Sequence, residues 1–272
     1  MSTPEASALP LGLARAELSR WCQFIGWSRS GTTLVGSLLD AHPEILIGQE
    51  LDAAARVLAG DGREELLCGV VERERAFARD GRRWNGYAYD VHDIAREDLS
   101  GIRVIGDKKA AGTVEALMQD GAALDRLAAT AGLPLRLLAV VRHPLDAIAS
   151  LSAHLDTDLP PWHRPDGDAL EVALDWYLRL CNVVAEVAAS GAHEVDFVHL
   201  ELLAEDPEGV LPPLLNRLGV SPPPDGYLDR AADLLTPPRR ARDDVAWSEP
   251  QLARVGAAID EHAFLRAYSA AT

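Results

Sequence analysis

The stretch Phe24-Ile25-Gly26-Trp27-Ser28-Arg29-Ser30-Gly31-Thr32-Thr33-Leu34 decides the fold class of this chain. An apolar run leads into a turn that Gly26 and Gly31 frame, and a helical pattern begins at Thr32. In this order of strand, turn and helix, the N–H groups of the turn and the positive end of the helix dipole converge on an anion. The stretch therefore predicts a phosphate-binding loop.

The loop matches the Walker A pattern G-x-x-x-x-G-K-[ST] at every position except one. Thr32 stands where that pattern has its lysine, and Arg29, three residues earlier, is the only cation of the loop. An enzyme that uses a nucleoside triphosphate depends on the missing lysine. The loop therefore favours an enzyme that binds a different phosphoanhydride.

Predicted strands alternate with predicted helices along the chain, and the strands cover residues 22–26, 45–47, 102–105, 135–141 and 195–198. This alternation implies right-handed crossovers, and it predicts an α/β, P-loop-type three-layer fold with a central parallel sheet and helices on both faces. Ligands of such sheets bind at the carboxyl ends of the strands. Four candidate site residues follow predicted strands and are expected to meet at that edge: Arg29, Glu50, Lys108 and Arg142.

The composition is that of a globular protein, and its negative charge disfavours polyanionic partners. The chain has 272 residues, is 48% hydrophobic and contains no repeat or low-complexity linker, so we expect one domain over residues 1–272. Its net charge of −16 disfavours nucleic acid and anionic membranes as partners. A polyanionic ligand must therefore be held by a local cationic pocket.

Other compositional features favour a cytoplasmic location. No stretch approaches the roughly 20 apolar residues of a membrane span, and residues 1–17 lack the pattern of a signal peptide. Three scattered cysteines, Cys22, Cys68 and Cys181, suggest a reducing compartment and neither a disulfide framework nor a zinc site.

Lysine is rare in this chain, which makes its two lysines informative. Only Lys108 and Lys109 among the 26 basic residues are lysines, and the arginine preference is typical of a GC-rich bacterial coding bias. The adjacent pair either lies on a surface loop by chance or places a compact ammonium at a reacting oxygen. Their position after a predicted strand favours the second interpretation.

A second motif follows the predicted strand Leu137-Leu138-Ala139-Val140-Val141, whose continuous apolar run is typical of a buried parallel strand. The strand leads into Arg142-His143-Pro144, and Ser150 follows eight residues after Arg142. Pro144 suits the first turn of a helix, where its missing N–H costs nothing. The motif thus predicts a strand that ends at an arginine and continues into a helix.

The two motifs together resemble those of the sulfotransferases that use 3′-phosphoadenosine 5′-phosphosulfate (PAPS). The run Arg29 to Leu34, followed by Leu39 to Pro43 and by Glu50, looks most like the 5′-phosphosulfate loop of the tyrosylprotein and bacterial branches. Arg142 and Ser150 have the spacing of the family's 3′-phosphate motif. The resemblance covers roughly residues 22–220.

The resemblance implies transfer of a sulfuryl group from PAPS to a hydroxyl or amine of a small metabolite, lipid or sugar by in-line displacement, with PAP as product and no metal. It assigns the 5′-phosphosulfate to Arg29, Ser30, Gly31, Thr32 and Thr33 and the 3′-phosphate to Arg142 and Ser150. Within the C-terminal segment and helix at 236–272, Arg239, Arg240 and Arg242 resemble the family's late basic segment, which closes over PAPS. A solvated basic run is the alternative for these arginines.

The resemblance also places a catalytic lysine after the central strand, often as Lys-x-Pro. The sequence here is Lys108-Lys109-Ala110, without the proline, so Lys108 is the closer match and Lys109 the alternative. Catalysis would use this lysine and Arg29 to stabilise charge on the leaving phosphate.

Glu50 is the candidate general base, because the tyrosylprotein branch has a glutamate at the same distance of 21 residues from the loop arginine. A carboxylate that faces the acceptor can take its proton in the transition state. The alternative is that Glu50 only caps a helix that begins near Asp52. His42 and Asp107 are weaker candidates for the base.

The acceptor side matches the family less closely. Leu51-Asp52 follows Glu50 where the tyrosylprotein branch has a substrate-reading arginine nearby, which argues against a protein tyrosine acceptor. Segment 81–100, expected to be irregular or partly helical, and the loop expected over 156–168 would shape the acceptor pocket. Three tryptophans are candidates for stacking on adenine or on the acceptor, with core packing favoured for the last: Trp84, Trp162 and Trp176.

Two other function classes remain open at this point. A P-loop kinase or nucleotide-binding protein that uses ATP would share the fold, although the loop lysine and a clear Walker B aspartate are missing. A non-catalytic relative that binds PAP would keep the two phosphate motifs without the chemistry, although the intact Glu50 and Lys108 argue against it.

Overall fold

The computed structural model describes residues 9–84, 86–91, 98–160 and 167–269. The strands are β1 (Arg20–Phe24), β2 (Ile45–Gly48), β3 (Arg83–Trp84), β4 (Tyr87–Ala88), β5 (Val104–Asp107), β6 (Leu135–Val141) and β7 (Glu194–His199). Five of them form a parallel sheet in the order β2-β5-β1-β6-β7, while β3 and β4 form a separate antiparallel hairpin.

Thirteen α-helices surround or flank the sheet within the described part of the chain. They are α1 (Leu11–Arg15), α2 (Thr32–Asp40), α3 (Ala53–Ala59), α4 (Arg63–Arg79), α5 (Ala110–Gln119), α6 (Ala123–Ala131), α7 (Pro144–Ser152), α8 (Leu155–Asp158), α9 (Ala169–Ser190), α10 (Leu200–Glu205), α11 (Pro207–Leu218), α12 (Tyr227–Leu234) and α13 (Glu249–Glu261). Two 3-10 helices cover Ala241–Asp244 and Ala263–Tyr268.

Alternate side chains of the buried strands point to opposite faces of the sheet, and each face has its own apolar core. On one face Trp21 of β1 packs in a cluster with residues of α4, α6 and α9. On the other face Phe24 of β1 packs in a cluster with residues of α2, α11 and α12. The α/β three-layer fold predicted from the sequence is therefore confirmed.

The helix bounds differ from the predictions in a few places. The sequence of residues 114–131 predicts one helix, whereas the structure has two, α5 and α6, because Asp120 is extended and its carboxylate accepts a hydrogen bond from Ala122 N (2.9 Å). The loop expected over 156–168 begins inside the one-turn helix α8, and residues 161–166 lie outside the described part. Helices α10 and α12 and the hairpin β3–β4 were not predicted.

The two central strands approach each other closely at Gly106. A Cβ atom at this position would lie 1.9 Å from the carbonyl oxygen of Cys22 on β1, which as a backbone atom cannot move aside. Gly106 pairs with Cys22 in the parallel register, two residues before Lys108. Only glycine fits here, so this contact helps to fix where β5 ends.

We expect Gly106→Ala to lower the free energy of unfolding by about 3 kcal/mol, because the extra methyl group must push β5 away from β1. Urea denaturation measures this change. Gly101→Ala is the matched control, since a Cβ atom there meets nothing within 4 Å. Equal stability of the two variants would contradict the packing described here.

Candidate active site

A cavity of about 730 Å³ lies at the carboxyl ends of the parallel strands. Residues that follow four different strands line it: Arg29 after β1, Glu50 after β2, Lys108 after β5 and Arg142 after β6. The structure thus brings together the four strand-end residues that the sequence predicted to meet. Their convergence defines one site.

The loop between β1 and α2 has the backbone of an anion cradle. Arg29 (φ 64°) and Gly31 (φ 93°) are both left-handed, and Gly31 is the N-cap of α2. Because glycine has no side chain to cap the helix, the first N–H groups of α2 remain available to a ligand. Thr32 and Thr33 line the cavity, whereas the Ser30 hydroxyl is buried and donates to Trp27 O (2.8 Å).

Arg29 joins the loop to the second motif. Its Nε donates to Ser150 Oγ (3.2 Å) and lies 3.8 Å from Asp158 Oδ2, and its carbonyl oxygen accepts from Arg142 (3.1 Å). Asp158 lines the cavity, and its burial raises its pKa. Asp158 could not be predicted from the sequence, because only tertiary packing brings α8 to the loop.

Arg142 is held at the cavity with an unused donor. Its guanidinium donates to the carbonyl oxygens of Arg29 and Arg239, while its buried Nε has no hydrogen-bond partner among the described residues. Burial lowers the pKa of Arg142. An unsatisfied buried guanidinium N–H is costly unless an acceptor reaches it, so this atom suits an anionic oxygen.

Glu50 lies between the two lysines. Its carboxylate forms ion pairs with Lys108 Nζ and with Lys109 Nζ (2.6 Å), and Lys108 Nζ also donates to Thr33 Oγ1 (3.1 Å). Burial works to raise the pKa of Glu50, but the two ammonium groups outweigh it and lower the pKa. Burial lowers the pKa of Lys108, which is only 1% exposed.

The alternative role of Glu50 as a helix cap is wrong. Helix α3 begins at Ala53, and the carboxylate of Asp107 satisfies its start by accepting hydrogen bonds from Leu51 N and Ala53 N (2.9 Å each). Asp107 is fully buried, and burial raises its pKa to about 6. Both of its oxygens are thus committed to the backbone.

His42 also has a structural role. Its Nδ1 accepts from Glu44 N (3.2 Å), and its Nε2 lies 3.1 Å from Ser221 O. The ring is buried at the turn after α2, and it is not among the described residues that line the cavity. Of the three candidate bases, the structure places only Glu50 at the cavity.

The C-terminal arginines divide into three roles. Arg239 lines the cavity and pairs with Asp244 (2.7 Å), whereas Arg240 is exposed, lies 3.5 Å from Asp243 and is not among the described lining residues. Arg242 forms a two-pronged ion pair with the buried carboxylate of Asp146 on α7 (2.8 and 3.1 Å), which also accepts from Arg242 N (2.8 Å). This ion pair holds the segment 236–245 against α7, and Arg142 contacts the same segment at Arg239 O.

The three tryptophans have different positions. Trp84 lines the cavity, whereas Trp176 is completely buried in the core, as expected for its helix. Trp162 lies outside the described residues.

None of the described helices has the length and apolar composition that a membrane span requires. No group of three or more His, Cys, Asp or Glu side chains in the same residues is placed to hold a metal ion.

Comparisons with known proteins point to one family. A model of the sulfotransferase family matches residues 24–224. The structure is similar to a sulfotransferase domain from the curacin biosynthetic pathway, with a TM-score of 0.53 and 14% identity over 90% of this chain and 98% of that one. It is also similar to sulfotransferase STF9 from Mycobacterium avium, with a TM-score of 0.53 and 12% identity over 92% of this chain and 79% of that one.

A third similar structure is mouse sulfotransferase SULT7A1 complexed with PAP, with a TM-score of 0.46 and 14% identity over 94% of this chain and 90% of that one. A search of curated proteins finds no match. At identities of 12–14%, the two structures with TM-scores of 0.53 show a shared fold.

We expect Asp146→Asn to release the segment 236–245 from α7, because Arg242 would lose its buried countercharge. Limited trypsin digestion, followed by mass spectrometry, should then show faster cleavage after Arg239, Arg240 and Arg242. Asp243→Asn is the matched control, since Asp243 pairs with Arg240 at the surface. Unchanged cleavage in Asp146→Asn would show that other contacts hold the segment.

Proposed function

The chain belongs to the sulfotransferase family, and on that premise we propose that it transfers the sulfuryl group of PAPS to a hydroxyl or amine of a small acceptor by in-line displacement. The acceptor is a metabolite, lipid or sugar. One observation carries the proposal. The buried ammonium of Lys108 contacts both the phosphate loop, at Thr33 Oγ1, and the carboxylate of Glu50. Lys108, which would stabilise the leaving oxygen, and Glu50, which would take the acceptor proton, thus lie in direct contact.

The donor would bind along the loop and β6. Its 5′-phosphosulfate suits the N–H groups at the start of α2, with Arg29, Thr32 and Thr33 around it. Its 3′-phosphate suits the unused Nε of Arg142 and the hydroxyl of Ser150. Arg239 would add a cation from the C-terminal segment, whereas Ser30 would contribute only its backbone. Arg240 is not among the described lining residues, so it would take part only if its side chain turned from Asp243 toward the donor.

In the reaction, the acceptor oxygen forms a bond to sulfur while the bond between sulfur and the 5′-phosphate oxygen breaks. Glu50 takes the acceptor proton, and Lys108 and Arg29 stabilise the negative charge that develops on the phosphate. A Lys108 side chain that turns toward the phosphate would leave Glu50 with one cation instead of two. The pKa of Glu50 would then rise, which makes it a better base.

We also propose one domain over residues 1–272 in a bacterial cytoplasmic enzyme. This proposal rests on the arginine-rich, lysine-poor composition and on three buried cysteines that form no disulfide with one another.

PAP should raise the melting temperature more than ATP does at equal concentration, and without magnesium, because ATP lacks the 3′-phosphate.

Arg142→Ala should weaken PAP binding by about 2–3 kcal/mol, the value of a charge-assisted contact. Adenosine 5′-phosphate, which lacks the 3′-phosphate, is the control ligand, and its affinity should change much less in Arg142→Ala. A larger rise in melting temperature with ATP and magnesium than with PAP would overturn the proposal in favour of a P-loop kinase.

Glu50→Gln should reduce kcat on the order of 10²–10⁴-fold while PAP binds normally, because glutamine cannot take the proton.

Lys108→Ala should also reduce kcat with a modest change in donor affinity. Lys109→Ala is the matched control, because Lys109 contacts the same carboxylate from a partly exposed position. A larger loss in Lys109→Ala than in Lys108→Ala would move the catalytic role to Lys109, and normal turnover by Glu50→Gln would exclude Glu50 as the base.

A further inference from the structure

The carboxylate of Asp52 lies unused beside the site. Asp52 is the N-cap of α3, but Asp107 accepts the backbone hydrogen bonds at the start of this helix in its place. The Oδ1 atom of Asp52 is buried and has no hydrogen-bond partner among the described residues. A buried carboxylate oxygen is costly unless a donor or a cation reaches it. Asp52 is therefore suited to receive a cation.

Lys109 packs against the same point as that oxygen. A Cβ atom at Gly112 of α5 would lie 2.8 Å from Asp52 Oδ1, and 2.6 and 3.0 Å from Cγ and Cε of Lys109. The carboxylate and the lysine stem thus meet at the surface that Gly112 leaves open. In the structure the Lys109 ammonium pairs with Glu50 (2.6 Å) instead. Because the lysine stem is flexible, the ammonium can exchange Glu50 for Asp52 while Cγ stays in place.

Glu115 of α5 is a third carboxylate near Lys109. It lies three residues after Gly112, on the same side of the helix. Burial raises the pKa of Glu115 to about 7 and also raises the pKa of Asp52, and in both cases Lys109 opposes the effect. Burial works to lower the pKa of Lys109, but the surrounding carboxylates outweigh it and raise the pKa. Lys109 is therefore shared among three carboxylates, one of which is the candidate base.

Three more charged groups face this cluster from neighbouring elements: Lys108 and Asp107 at the end of β5, and Asp158 on α8. Lys108 pairs with Glu50, both oxygens of Asp107 accept from the backbone, and Asp158 lies beside Arg29. Asp52 is thus the carboxylate that combines an unused buried oxygen with a contact point shared by Lys109.

We propose that Asp52 is a positioning residue for the base: once the donor is bound, the Lys109 ammonium moves from Glu50 to Asp52 and frees the carboxylate that takes the acceptor proton. The inference rests on the proposed function and adds a residue to the same site. A carboxylate that holds two ammonium groups is a poor base. With Lys108 on the 5′-phosphate and Lys109 on Asp52, Glu50 keeps neither cation.

The test titrates the side-chain carboxyls of Glu50 and Glu115 by carbon NMR, in the free protein and in its complex with PAP. Glu50→Gln and Glu115→Gln assign the two signals. The negative charge of PAP by itself raises the pKa of every nearby carboxyl. We expect PAP to raise the pKa of Glu50 by about one unit but to lower the pKa of Glu115 by about half a unit, because the ammonium neutralises Asp52, which faces Glu115.

Two variants show whether Asp52 acts through Lys109. Asp52→Asn should preserve the fold, because asparagine tolerates the left-handed backbone at this position (φ 65°) and suits an N-cap. Lys109 would then stay on Glu50, so PAP should raise the pKa of Glu50 about one unit less than in the wild type. Lys109→Met keeps the stem without the ammonium. In that background Asp52→Asn should change the pKa of Glu50 by less than about 0.3 unit.

Each outcome separates the two proposals. If PAP binds but the pKa of Glu115 does not fall, Lys109 has stayed on Glu50; the role of Asp52 is then refuted and the sulfotransferase proposal stands. The same conclusion follows if Asp52→Asn changes the pKa of Glu50 equally with and without the Lys109 ammonium, since Asp52 would then act by direct repulsion. If the wild-type protein does not bind PAP, both proposals are overturned.

Discussion

The ion pair between Lys108 and Glu50 is the interaction on which the site depends. It joins the ends of β5 and β2, and through Thr33 it joins both strands to the phosphate loop. Burying an ammonium group is unfavourable unless a carboxylate compensates it, so a chain that makes almost no other use of lysine keeps this pair at a cost. We interpret the pair as the state before substrates bind. In the proposed reaction, Lys108 would then contact a phosphate oxygen of the donor, and Glu50 would accept the proton of the acceptor.

In the proposed reaction, the order of the strands would separate the two substrates across the sheet. The β6 side would present Arg142 and Arg239 to the 3′-phosphate of the donor, and the β2 side would present Glu50 to the acceptor. The phosphate loop after the central strand β1 lies between these two sides, where the sulfuryl group would be transferred. The strong net negative charge of the chain is no obstacle, because the cations needed by the donor are concentrated at this edge.

The loop, the strand ends and the Arg142 motif could be predicted because each is local in sequence, with glycines, apolar runs and a proline at fixed spacing. The rest depends on contacts between distant residues. Asp107 rather than Glu50 serves the start of α3, although it lies 54 positions from Ala53, and Arg242 reaches Asp146 across 96 positions. The hairpin β3–β4 lies in a segment that the sequence predicts to be irregular or partly helical, because two strands of two residues each leave almost no periodic pattern. Arg82, which precedes β3, pairs with Asp40, 42 positions away.

A crystal structure of the protein with PAP would show whether the donor binds between the phosphate loop and Arg142. We expect the 3′-phosphate within hydrogen-bond distance of Arg142 Nε and Ser150 Oγ, and the 5′-phosphate at the start of α2. Lys108 Nζ should be turned from Glu50 toward the 5′-phosphate. A 3′-phosphate that avoids Arg142, together with a Lys108 side chain that stays on Glu50, would contradict this arrangement.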